Sequence, residues 1–212
     1  MLVPATLNCS TDMNGAPSRD DRVNLERSTL LLVDDNPQAL DILGSIVHGF
    51  GVREQIKCAT ALDAVDVVKR RSVDLILIDC AMPEMDGYDF VRWLRRDGPE
   101  QVNYTPVIML VGHAARSSVQ KSRDCGASFV IAKPLTPMVL LQRIVWLSRD
   151  QREFVQSEAY TGPDRRVRNL GPPMGAVGRR AGDLSTHVGI ALQDNMDQSA
   201  IDMMMKPVRV SL

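Results

Sequence analysis

Between residues 29 and 157 the chain alternates short apolar runs with longer stretches whose apolar positions recur every three to four residues. The runs are TLLLV at 29–33, DLILI at 74–78, PVIMLV at 106–111, SFVIA at 128–132 and a weaker VREQIK at 52–57. Helical period marks about 37–49, 60–71, 86–97, 114–125 and 136–157. The last of these sets Val139, Leu140, Ile144, Leu147 and Phe154 on one broad face. A strand that is apolar without alternation is buried on both faces, and a helix between two such strands supplies the right-handed crossover of a parallel sheet. The pattern therefore predicts an α/β domain over 28–150, a doubly wound five-stranded parallel sheet whose last helix extends to 157.

Outside that zone the alternation stops. Residues 1–27 are polar and broken by Pro4, Asn14-Gly15 and Pro17, which predicts a flexible leader. From 158 to 182 the chain is rich in Arg, Gly and Pro and reads as a linker that does not pack by itself. From 183 to 206, Leu184, Val188, Leu192, Met196 and Met204 fall at multiples of four, with Asp183 as an N-cap and Pro207 as a stop, which predicts an amphipathic helix. Gly189 and the polar run 193–199 weaken that helix. It either docks on its own domain or offers a Met-rich surface to a partner.

Composition narrows the function. The net charge of -1, from 25 basic and 26 acidic residues, gives no whole-chain reason to bind nucleic acid or a membrane surface. Cys9, Cys58, Cys80 and Cys125 lie far apart with no C-x-x-C pair, so they read as reduced thiols and point to the cytoplasm. The N-terminus has no basic segment followed by an apolar one, and no apolar run is long enough to span a bilayer, so neither export nor a membrane is expected.

The chemistry sits where the strands end, because a doubly wound sheet binds its ligands beyond the carboxyl ends of its strands. The first strand ends in Asp34-Asp35, the third in Asp79, the fourth in Val111-Gly112 and the fifth in Lys133-Pro134. Each has a plain reading when taken alone: a strand exit before an Asn36-Pro37 helix start, a turn aspartate, a solvated lysine. Together they predict three carboxylates and one amine at one end of an apolar sheet. Such like charge is costly unless a cation offsets it, which suggests an oxygen-ligand site for Mg2+.

With VDDN, LILIDCAMPEMDG and KP after SFVIA in this order and spacing, the sequence resembles the receiver domain (CheY-like) of response regulators in bacterial two-component signalling. The resemblance implies a flavodoxin-like (βα)5 fold. It makes Asp79 the phosphoacceptor, assigns Asp34, Asp35, Asp79 and the backbone carbonyl of Ala81 to Mg2+, and gives Lys133 the phosphoryl oxygens. It also implies a cis bond before Pro134 that aims Lys133 inward. A carboxylate can act as nucleophile toward phosphorus, and a metal and an ammonium neutralise the charge in flight. The implied partners are a histidine kinase or histidine phosphotransfer protein and a downstream protein target, with a homodimer through the fourth helix, fifth strand and fifth helix as a further option.

Two positions depart from the family pattern. Receivers carry Thr or Ser where Val111 stands, and often Tyr or Phe where Val130 stands, three residues before the lysine. Phe129 is adjacent, but one step along a strand points it to the opposite face. Both switch positions are thus atypical. The alternatives are a working receiver with drifted switch residues, or a docking module or phosphate sink.

The tail yields weaker readings. Between Tyr160 and Gly182 five arginines (165, 166, 168, 179 and 180) face one aspartate, Asp164, for a local charge of +4, which suits phosphate or carboxylate partners or a merely solvated linker. Arg165-Arg166 and Arg179-Arg180 with DLSTHVG resemble elements of PilZ domains, implying a cyclic dinucleotide, but the barrel that should carry them is absent. No recognition-helix domain follows, so sequence-specific DNA binding is not expected, nor is metabolic enzyme activity.

Overall fold

A computed structural model describes residues 24–150, 152–157, 160–164 and 196–205. Five strands and five helices alternate: β1 Thr29–Val33, α1 Pro37–Gly49, β2 Glu54–Cys58, α2 Ala61–Arg70, β3 Leu75–Asp79, α3 Gly87–Arg96, β4 Val107–Val111, α4 Arg116–Cys125, β5 Phe129–Ala132 and α5 Pro137–Ser148. All five strands are parallel, in the order β2-β1-β3-β4-β5. The fold is the expected doubly wound, flavodoxin-like sheet, and its topological switch lies between β1 and β3.

The period of two along each strand divides the core into two layers. Leu31, Val33, Ile76, Ile78, Met109, Val111 and Val130 face α2, α3 and α4. Leu30, Leu32, Leu75, Leu77, Ile108, Leu110, Phe129 and Ile131 face α1 and α5. The one-residue offset therefore does separate Phe129 from Val130. Phe129 stacks edge-on against Trp146 with ring centroids 5.1 Å apart, in the layer opposite Val130.

Local chemistry fixes where the helices start. Asn36 caps α1 by accepting the Gln38 and Ala39 N–H groups, with Pro37 at the first helical position. Asp86 caps α3 by accepting the Asp89 N–H at 2.7 Å. Thr60 and Thr136 do the same for α2 and α5.

The chain after α5 departs from the expectation. The helix ends at Ser148 and does not reach 157; β6 Phe154–Gln156 follows and pairs antiparallel with β7 Thr161–Pro163. Phe154 therefore leaves the helical face assigned to it. Its ring lies 5.0 Å from the Arg95 guanidinium and 5.0 Å from the Tyr104 ring, and these non-local contacts outweigh the helical period. The start of the stretch read as linker, Tyr160 to Asp164, belongs to this hairpin. Arg165 to Gly182, with both arginine pairs and the +4 segment, lies outside the described residues. So do Asp183, Leu184, Val188 and Leu192 of the amphipathic pattern, and residues 1–23 of the leader. Among the described residues of 183–206 one helix forms, α6, Gln198–Met205, and it begins inside the polar run that argued against it.

Candidate functional site

The parallel sheet brings β1, β3 and β5 side by side, so their carboxyl ends open on one rim. The site is built there from the last residue of each strand or the next. Asp79 ends β3 and is 6% exposed; Asp34 follows β1 and is 2% exposed. Lys133 follows β5 and reaches between them, with Nζ 2.8 Å from Asp34 Oδ2 and 2.5 Å from Asp79 Oδ1. Its backbone N–H donates to the Val111 carbonyl at 2.8 Å, and the bond to Pro134 is cis.

Each remaining carboxylate oxygen is also held. Asp34 Oδ1 accepts the Asn36 N–H at 3.0 Å, and Asp79 Oδ2 accepts the Ala81 N–H at 2.7 Å. Burial by itself would lower the pKa of the Lys133 ammonium. The hydrogen bonds to Asp34 and Asp79 outweigh it and hold that pKa above its ordinary value, so the site keeps its one fixed cation at neutral pH.

Of the three carboxylates expected at this rim, Asp34 and Asp79 share the Lys133 ammonium, and Asp35 stands next to Asp34 in the chain. Asp35 is exposed, because consecutive residues leaving a strand point to opposite sides. Among the described residues no three Asp, Glu, His or Cys side chains form a group that could hold an ion. The donor set nevertheless fits a hard divalent ion better than a soft one. It consists of oxygens, from Asp34 and Asp79 with Asp35 at the rim and the Ala81 peptide beside Asp79, and the position between the two buried carboxylates already takes a cation in the form of Lys133 Nζ.

The loop after Asp79 is shaped by a residue whose role the sequence did not reveal. That residue is Gly87, the first of α3. Its N–H donates to the Cys80 carbonyl at 3.1 Å, and a Cβ there would lie 2.2 Å from the Asp79 carbonyl oxygen. Only glycine lets α3 start this close to the end of β3. Glu84, at φ 66°, completes the turn of the same loop. Val111 and Val130 are both fully buried, so neither switch position offers a polar atom or a ring to the site.

Known proteins share this arrangement. Residues 30–145 match the response regulator receiver domain family. The polar-differentiation response regulator DivK of Brucella ovis is 28% identical over 108 residues, 51% of this chain and 85% of that protein. Among solved structures, the chemotaxis protein CheY4 of Vibrio cholerae superposes with a TM-score of 0.51 at 26% identity, covering 55% of this chain and 95% of that one. The receiver domain of a Pseudomonas aeruginosa sensor histidine kinase, solved with a magnesium ion coordinated in its active-site cleft, gives 0.51 at 30% identity over 57% and 95%. Through residues 30–145, which bring Asp34, Asp79 and Lys133 to one rim, this chain belongs to the response regulator receiver family.

Proposed function

We propose that the protein is a response regulator that accepts a phosphoryl group on Asp79 from a histidine kinase or histidine phosphotransfer protein, and signals through protein contacts. One observation carries the reading: Asp79 sits nearly buried at a strand end with an ammonium 2.5 Å from one oxygen and a backbone N–H 2.7 Å from the other.

In the transfer, an Asp79 carboxylate oxygen attacks phosphorus. The oxygen–phosphorus bond forms, the bond to the donor imidazole nitrogen breaks, and that nitrogen takes up a proton. The chain positions and screens. Lys133 neutralises charge on the oxygens between donor and acceptor, and the Ala81 N–H holds the carboxylate in one orientation. Magnesium, bound through Asp34, Asp35, Asp79 and the Ala81 carbonyl, would supply further neutralisation of the phosphoryl charge. The magnesium in the Pseudomonas relative supports this assignment. The fold and the free thiols of Cys58, Cys80 and Cys125 suit a cytoplasmic signalling protein better than a metabolic enzyme.

The aliphatic pair Val111 and Val130 favours a second reading, a receiver-fold docking module or phosphate sink. Intact-protein mass spectrometry after incubation with acetyl phosphate and Mg2+ separates the two. A phosphoryl mass gain that disappears in Asp79→Asn and on chelation is the expected result. A folded protein with no adduct overturns the phosphoacceptor assignment and leaves the docking module.

A further inference from the structure

The segment that carries α6 concentrates one oxidisable side chain. Of the eleven methionines in the chain, four fall between residues 196 and 205: Met196, Met203, Met204 and Met205. Their settings are graded. Met203 is 75% exposed, Met196 and Met204 are half-buried against the apolar layer that faces α2, α3 and α4, and Met205 is 4% exposed within that layer, together with Ile201. Side chains that solvent reaches and side chains that hold the helix down therefore stand next to each other.

The helix is lightly held. α6 has eight residues, below the ~12–15 at which an isolated helix becomes marginally stable in water, so its packing supplies most of what makes it helical. Beside the apolar contacts, Gln198 Nε2 donates to the Val130 carbonyl at 3.0 Å and Gln198 Oε1 accepts the Ala132 N–H at 3.0 Å, on the open edge of β5. Asp202 pairs with Arg143 of α5, and the Met196 N–H donates to the Ala114 carbonyl at 2.9 Å. A short segment on so few contacts opens locally more often than the sheet beneath it, and each opening brings Met204 and Met205 into water. A thioether that has gained an oxygen is polar and no longer suits an apolar layer, so it opposes reclosure. Leucine would fill the same positions and be inert to peroxide.

We propose that Met196, Met204 and Met205 form an oxidation site, and that their conversion to sulfoxides by a peroxide releases α6. In that step a sulfur lone pair attacks one peroxide oxygen. The sulfur–oxygen bond forms, the oxygen–oxygen bond breaks, and the hydroxide that leaves takes the proton of the transferred oxygen and departs as water. Sulfur loses two electrons and the peroxide gains them. A methionine sulfoxide reductase drawing on two thiols reverses the change, with the oxygen again leaving as water. The proposal does not depend on phosphoryl transfer at Asp79.

The full chain is treated with hydrogen peroxide and followed by site-resolved mass spectrometry beside hydrogen exchange. Met203 is expected to gain oxygen first, Met196, Met204 and Met205 later, and Met109, fully buried in β4, not at all while the sheet stays folded. Once Met204 and Met205 carry oxygen, the Ala132 amide is expected to exchange about ten-fold faster, with the Leu32 and Leu77 amides unchanged. The Met196→Leu/Met204→Leu/Met205→Leu variant is expected to keep its Ala132 protection after the same treatment, although its Met203 is oxidised. An unaltered Ala132 rate in the oxidised wild type, an equal rise in the leucine variant, or a Met204 and Met205 that never react overturns the proposal. Should the variant fail to fold, methionine sulfoxide reductase with thiol decides on the oxidised wild type. Ala132 protection is expected to return; continued fast exchange after the sulfoxides have been reduced rejects the site.

Discussion

At the scale of single residues, the site is a compromise between burial and charge. Asp34 and Asp79 are nearly removed from water, and Lys133 makes that tolerable by standing between them. Gly87 sets a steric limit on the same site. Gly87→Ala is expected to force the start of α3 away from the end of β3, at a cost of about 1–3 kcal/mol in urea unfolding, because a Cβ would overlap backbone and not a side chain that could turn aside. The same variant should slow adduct formation at Asp79 in the mass-spectrometric assay. Cys125 gives a pH prediction. Burial pushes its thiol up from 9.0 to about 12, while in the unfolded chain it ionises near its ordinary value. A raised folded pKa means stability that is complete below pH ~9 and lost as pH rises from ~9 toward ~12. Between pH 9 and 10 the urea stability of Cys125→Ala should therefore fall less steeply than that of the wild type. Of these residues Asp34, Asp79 and Lys133 were legible in the sequence, because a charge that ends an apolar run stands out. Gly87 was not, since its constraint comes from a backbone oxygen eight residues away that no local pattern reveals.

At the scale of elements, the strands and the first four helices follow their local periods and caps to within about two residues, whereas the segments after Ser148 follow tertiary contacts. Arg95 shows why. It lies at the end of α3, is 2% exposed, and donates to three carbonyls: Gly126 at 3.1 Å, Asn103 at 2.6 Å and Thr105 at 2.9 Å. Burial lowers its pKa to about 10. The β6–β7 hairpin closes over it, with the Phe154 ring on the guanidinium and the Thr161 carbonyl close to Gly126, whose positive φ of 99° ends α4. Arg95→Met removes donors from three carbonyls at once and is expected to lower stability by about 2–4 kcal/mol, with the hairpin amides losing hydrogen-exchange protection first. Sequence periodicity placed Phe154 on a helical face because it fits the spacing. The partner that claims it is fifty-nine residues earlier.

At the scale of the molecule, the loop after β4 touches both the site and the segment that leads into α6. Val111 ends the strand and accepts the Lys133 N–H, and three residues later Ala114 accepts the Met196 N–H that starts the α6 segment. A ligand that moves this loop has a direct mechanical route to α6, even though Val111 has no hydroxyl with which to grip a phosphoryl group. Beryllofluoride with Mg2+ should therefore shift the backbone amides of Met196, Gln198 and Ala132 in NMR. Shifts confined to the residues around Asp79 would show a site without output through α6.

The sequence by itself determined the doubly wound sheet, the identity of its buried strands and the charged residues at their ends. These follow from short-range rules: unbroken apolar runs must be covered on both faces, and charge collects where a strand leaves the core. Tertiary structure alone decided that the chain after Ser148 becomes a hairpin and that a polar glutamine begins a docked helix. Each of these depends on a neighbour distant in sequence, such as the unpaired backbone of β5 that makes Gln198 more useful against the sheet than in water.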